Sequence, residues 1–215
     1  MNYAPVLDIL NNANPAIGKN QRSFSTKPSE IVRHARQVIL SHRYFNVKTV
    51  VKHFPGHGNS KEDSHFNVTD VSKYWEQKEI SPYIKLLDEG NIEAIMTAHI
   101  VNEKLDKSKL PATLSKKIMT DYLRGVLGFD GVVFSDDMQM KAISDQFGFE
   151  KSIKMAINAG VDVLMFSNHI PMKGRDTILP QDIITAVKEM IVKGEVSKER
   201  IDTSYRRILK FKENL

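Results

Sequence analysis

The stretch Lys52-His53-Phe54-Pro55-Gly56-His57-Gly58-Asn59-Ser60-Lys61-Glu62-Asp63-Ser64-His65 gathers three imidazoles, two amines and two carboxylates, Asp63 among them, directly after an apolar run. Pro55, Gly56 and Gly58 keep a helix from starting there. A polar loop of this kind above a rigid scaffold is where function concentrates, although a solvated turn that happens to hold histidines is the plain alternative. Within it, Asp63 lies two residues from His65. A carboxylate at that spacing can orient an imidazole and stabilise its charged form, which makes the histidine a proton shuttle near neutral pH. Ser64 as a hydrolase nucleophile is the weaker reading, because no G-x-S-x-G elbow surrounds it. His53, His57, Asp63 and His65 are also metal ligands by type. No H-E-x-x-H spacing supports that reading, and a flexible glycine loop is a poor preorganised cage.

A second stretch, Gly131-Val132-Val133-Phe134-Ser135-Asp136-Asp137-Met138, is an apolar strand that ends in two adjacent acids. A carboxylate presented there can attack an electrophilic carbon or stabilise a cationic one. Neighbours on an extended strand point in opposite directions. One of the two acids is therefore expected to face a site, and the other to cap the following helix.

Periodicity supplies the elements that must position these groups. Short β-branched runs at 3–7, 49–51, 92–97, 131–135 and 161–165 read as strands. Between them, Ile31, Val32, Ala35, Val38 and Ile39 form one core-facing helical stripe, and Ile118, Met119, Tyr122, Leu123 and Val126 form another. Ser115 is placed to cap the second helix and Gly128 to end it. Two further helices read from Ile183 to about Val192, ended by Gly194, and from Ser197, an N-cap, through Ile201, Tyr205, Ile208 and Leu209. Strand and helix in alternation predict parallel βα units with strands buried on both faces. No GxGxxG follows the first strand, as a dinucleotide-binding sheet would require. Polar residues instead follow several different strands: Asp8, then Lys52 and His53, then His99, then Asp136 and Asp137, then Ser167 and Asn168. That is the pattern of an α/β (βα)8 TIM barrel, whose strand ends converge on one mouth. The units recur about every 40 residues, so eight would take about 320. With 215 residues, the chain reads as the last five βα units of such a barrel, one domain over 1–215.

Composition excludes other classes. The chain carries 31 Lys+Arg against 26 Asp+Glu, a formal charge of +5, but the basic residues are interleaved with acids, so no nucleic-acid partner is expected. With no cysteine there is no disulfide framework and no thiolate nucleophile. No apolar run reaches a membrane span, and no signal peptide is visible. A cytoplasmic location is the expectation.

The motif Lys52-His53-Phe54-Pro55-Gly56-His57-Gly58, with Asp63-Ser64-His65, Ser135-Asp136-Asp137-Met138 and the upstream Arg22-Ser23-Phe24-Ser25, resembles glycoside hydrolase family 3, in its β-N-acetylhexosaminidase branch. The likeness runs from Asn2 to about Leu209. It implies a retaining hydrolase that releases β-linked N-acetylglucosamine from peptidoglycan-type oligosaccharides. Asp136 would be the nucleophile, His65 the general acid/base and Asp63 the residue that orients it. Arg22, Lys52, His53 and Met138 would bind the sugar. No cofactor and no metal are implied. A nucleophilic carboxylate with a second proton-transfer group is what retention requires.

The sequence departs from the family in two ways. Three strands that begin the family barrel, one with a D-Q-E-G-G-R type motif, have no counterpart, which leaves strand edges and apolar faces expected to lie open. Self-association or a missing N-terminal chain would complete the barrel, and a periplasmic or secreted location stays open for the same reason. The rival reading is an inactive or partner-dependent fragment that still binds sugar. Asn59-Ser60 stands where many members carry Asp-Thr, and residues 66–70 and the tail after Asn168 also differ, which bears on the aglycone.

Overall fold

A computed structural model of the chain describes residues 1–61, 69–169, 171–172 and 177–213. Its frame is a parallel sheet of β1 (Val51–Phe54), β3 (Ala94–Thr97), β5 (Val132–Asp137) and β6 (Val163–Met165), hydrogen-bonded in chain order. Residues 2–6 run parallel along the other side of β1 through bridges Asn2↔Thr49 and Val6↔Lys52. Pro5 has no N–H to give, so this outer ladder is broken into short contacts such as Val50 N–H to the Asn2 carbonyl at 2.9 Å. Five parallel strand positions in sequential order agree with the periodicity. A small parallel pair, β2 (Thr69–Asp70) with β4 (Ile100–Val101), lies apart from this sheet and has no clear signal in the sequence.

The strand alternation divides the core in two. Val51, Phe54, Ile95 and Val133 face the helices. There they meet Ile31, Val32, Ala35 and Ile39 of α1 (Pro28–Tyr44), Tyr83 and Leu86 of α2 (Ser81–Asp88), and Ile143 of α3 (Lys141–Phe147). Ala156 and Ala159 of α4 (Phe149–Ala159) close the same cluster. Residues on the opposite face, Val50, Ala94, Met96, Val132 and Phe134, form a second cluster with the half-buried Tyr3, Val163 and Met165. That face was expected to lie open. Instead α6 (Lys198–Lys212), which follows α5 (Pro180–Val192), lays Ile208 and Phe211 against it. The rings of Phe134 and Phe211 meet at 6.2 Å.

Two caps behave as the sequence indicates. Ser115 Oγ accepts from the Ile118 amide at 3.1 Å, and Ser197 Oγ accepts from that of Arg200 at 3.1 Å. The helix after Ser115, Lys117–Val126, has π-type turns rather than α-turns. Its longer hydrogen-bond span lets Ile118 and Leu123, five residues apart, both point into the core. No helix among the described residues is long and apolar enough to cross a membrane.

One buried acid ties the lower end of the sheet to the helices. Asp162 has no exposed side-chain surface. It accepts from Arg124 at 2.7 Å, Arg200 at 3.0 Å, Ser204 Oγ at 2.6 Å and the Val133 amide at 3.0 Å. Arg200 also donates to the carbonyls of Ile157 and Val161. Removing one side of a buried pair strands the other charge. Asp162→Ala is therefore expected to lower stability by about 3–5 kcal/mol, read from the midpoint of urea unfolding, whereas truncation of the exposed Lys198–Asp202 pair should cost less than about 1 kcal/mol.

Candidate active site

The parallel direction of the strands brings their C-terminal ends to one side of the sheet, and the chemistry-bearing residues collect there. A small pocket is lined by Arg22, Lys52, His53, His57 and Asp136, with Ala16 and Ile17. A roomier cavity of about 470 Å³ lies at the other end, among Lys48, Glu93, Gly131, Arg207 and Phe211. Two of its cations are already matched, Lys48 with Glu93 and Arg207 with Asp130.

Asp8 organises the pocket. It is fully buried, and its carboxylate receives His53 Nδ1 at 2.7 Å, the His53 amide at 3.3 Å and the His57 amide at 2.8 Å. Burial works to raise the carboxyl, but the two histidines outweigh it and hold Asp8 below the usual carboxylate range. Arg22 lies 3.2 Å from His53 Nε2. A guanidinium can only donate, so Nε2 accepts and the ring proton sits on Nδ1, facing Asp8. Ser23 Oγ donates to the Asp8 carbonyl at 2.5 Å, which lays the Arg22 segment beside the strand end. Arg22 itself is steadied by the Ala16 carbonyl at 3.1 Å.

Lys52 and His57 are both pushed down from their ordinary values, chiefly by burial. For Lys52 the charge of Arg22 adds to burial, while Asp136 and Asp8 pull the other way. His57 is thereby kept uncharged at neutral pH, with Nδ1 2.8 Å from Ser60 Oγ. Asn14 holds the same loop by donating to the carbonyls of His57 at 2.6 Å and Gly58 at 2.9 Å. The glycines here are required by space. Gly56 has φ +113°, and a Cβ on Gly58 would stand 2.3 Å from the Ile9 carbonyl oxygen.

The two acids of β5 separate as the strand geometry predicts. Asp136 lines the pocket, and its Oδ1 accepts the Asp137 amide at 2.9 Å. Asp137 is committed elsewhere. It accepts from the amides of Gln139 at 3.0 Å and Ser167 at 3.3 Å, and from Ser167 Oγ at 2.5 Å. It does not cap the next helix as expected, because α3 begins after Met140. It ties the end of β5 to the segment after β6 instead. His99, fully buried, supports that turn from below with Nε2 3.0 Å from the Asp137 carbonyl and Nδ1 2.8 Å from Thr113 Oγ1.

Of the residues singled out in the sequence, Arg22, Lys52, His53 and Asp136 are thus brought together. Met138 is not among the residues that line this pocket: it is fully buried in the main core cluster. Asp63, Ser64 and His65 lie outside the described residues. Both ring nitrogens of His53 already have partners, and among the described residues no group of three or more His, Asp or Glu could hold a metal. Sequence reasoning missed Asn14 and underrated Asp8. The position of Asp8 directly after a strand was the available signal; Asn14 had none.

A family model for the glycosyl hydrolase family 3 N terminal domain matches residues 1–211. The beta-hexosaminidase of Tolumonas auensis is 36% identical over 172 residues, covering 79% of this chain and 50% of that protein. Beta-hexosaminidase A of Pseudoalteromonas piscicida is 31% identical over 230 residues, covering 100% of this chain and 38% of its own length. The structure of a family 3 beta-N-acetylglucosaminidase from Paenibacillus sp. str. FPU-7 superposes with a TM-score of 0.88 at 34% identity, over 99% of this chain and 39% of that one. The chain spans half or less of the length of these relatives. A match over nearly all of its residues, on a parallel sheet whose strand ends gather the motif side chains, means that the chain belongs to glycosyl hydrolase family 3.

Proposed function

We propose that the protein is a retaining β-N-acetylhexosaminidase that releases β-linked N-acetylglucosamine from peptidoglycan-type oligosaccharides. The observation that carries the reading is the Asp136 carboxylate in one small pocket with Lys52, His53 and Arg22. In this reading Asp136 attacks the anomeric carbon and forms a glycosyl-enzyme. His65, oriented by Asp63, protonates the leaving oxygen and then takes a proton from the attacking water. An imidazole in that role adds no negative charge opposite Asp136. Lys52 and Arg22 supply hydrogen bonds to sugar hydroxyls, and His53, held by buried Asp8, fixes the Arg22 guanidinium for that contact through Nε2.

Residues 1–215 are read as one catalytic domain built from five units of an eight-unit barrel. The sequential order and common direction of the strands support this. The remaining strands would come from a further segment, a second chain or self-association. The half-buried Tyr3, Val163 and Met165 on the inner face favour a second reading, in which activity depends on that completion.

Hydrolysis of 4-nitrophenyl N-acetyl-β-glucosaminide tests the proposal. Asp136→Asn should lower kcat by at least about a thousandfold, and a trapped glycosyl adduct should map to Asp136 by mass spectrometry; a label on any other residue rejects the assignment. If the folded protein turns over only when an N-terminal fragment is added, the partner-dependent reading holds. His65→Ala should slow both steps but spare the first for substrates with good leaving groups. Arg22→Ala should raise KM about tenfold with kcat largely kept, as expected for a contact made equally to substrate and transition state.

A further inference from the structure

Beneath the loop of residues 55–59 lies a second buried acid that the chemistry above does not use. Glu79, at the end of the short 3₁₀ turn Gln77–Glu79, is 1% exposed. Its Oε2 accepts the Gly58 amide at 3.0 Å, and its Oε1 accepts Asn59 Nδ2 at 3.1 Å. The contact extends to Gly56, where an added Cβ would stand 2.7 Å from Glu79 Cβ. From the same segment Trp75, the sole tryptophan of the chain, donates Nε1–H to the Pro55 carbonyl at 2.9 Å. One short stretch, remote in sequence from the loop, therefore clasps it from below at Pro55, Gly56, Gly58 and Asn59.

We propose that Glu79 is a positioning residue that sets the loop 55–59, and through it Lys52, His53 and His57, over the cleft. The inference rests on the reading of that cleft as the sugar site. Both oxygens accept an N–H, a pairing open only to the ionised carboxylate; the protonated acid and an amide each put a donor against the Gly58 amide or the Asn59 NH₂ unless the Asn59 side chain turns over. The acid is held there against burial, which pushes its pKa up to about 7. The bonds from Asn59 and Gly58 oppose that shift, and the charge of Asp8 adds to it. Tyr83 on α2 also feels the charge of Glu79, and Lys104 Nζ steadies the same segment by holding the Trp75 carbonyl at 2.6 Å. The sign of the linkage follows. A carboxyl raised in the folded state contributes most stability below its ordinary value of 4.5, and that contribution is lost as pH rises through about 7.

The test follows the whole chain from pH 5 to 8 as wild type, Glu79→Gln and Glu79→Ala. The readouts are the Trp75 indole NMR signal, amide hydrogen exchange, melting temperature and aryl-glycoside hydrolysis. Wild type should show a Trp75 transition centred near pH 7 and lose melting temperature relative to Glu79→Gln across it; Glu79→Gln should show no such transition. In Glu79→Ala the Gly58 amide should exchange about tenfold faster, with Ile153 and Ile157 of α4 unchanged, and KM should rise more than kcat falls. A Trp75 transition that survives in Glu79→Gln, or Gly58 exchange unaltered in Glu79→Ala, overturns the proposal, as does an unchanged KM in both variants of an active enzyme. Should Glu79→Ala fail to fold, the Trp75 transition in Glu79→Gln decides alone. Exchange and the indole signal need no turnover, so a silent wild type would count against hydrolysis by this chain unaided and leave the clasp to be judged by these two readouts.

Discussion

A carboxylate with no exposed surface must be compensated where it stands, and Asp8 is compensated by the residues that the site needs. Leaving such a charge unpaired in the interior would cost several kcal/mol. The His53 ring and the amides of His53 and His57 meet it instead. The same bonds decide which ring nitrogen of His53 is protonated, which edge is left for Arg22, and where the loop after β1 begins to turn. Arg22, some 30 residues upstream of His53, is drawn in because its own segment is bonded to the Asp8 carbonyl through Ser23.

A buried acid at each end of the sheet does different work. Asp162, at the N-terminal side, gathers Arg124, Arg200 and Ser204, and its role is to fasten α6 to the rest. That fastening carries Ile208 and Phe211 onto the inner face of the sheet, where the burial of apolar surface supplies the larger stabilisation. Asp8, at the C-terminal side, has partners that still present a polar edge to the pocket. The division matches the general habit of parallel βα folds, in which the strand C-termini carry function and the opposite end carries stability.

The end of β5 repeats the lesson at the scale of two residues. Asp136 and Asp137 have the same side chain and adjacent positions, yet one lines the pocket and the other is saturated by Gln139 and Ser167. With His99 beneath the Asp137 carbonyl, the backbone that presents Asp136 is held on three sides. Such support from neighbouring bonds is what keeps a reacting group in place without reorganisation.

Much of this was legible in the sequence. The β-branched runs, the helical stripes and the caps at Ser115 and Ser197 are local signals with a fixed period, and they determined the alternation of parallel units. The motifs at 22–25, 52–58 and 135–138 determined which side chains would meet at the strand ends, because a parallel sheet places all those ends together. The motif had already singled out Asp136 of the two acids, but the tertiary structure alone decided that Asp137 is tied to Gln139 and Ser167, that Met138 turns into the core, that α6 covers the inner face, and that Glu79 and Asn14 hold the loop. Each of those outcomes depends on which distant residue arrives to bond or pack at a given spot. Periodicity carries no information about such arrivals, since it records only how a segment faces its own neighbours.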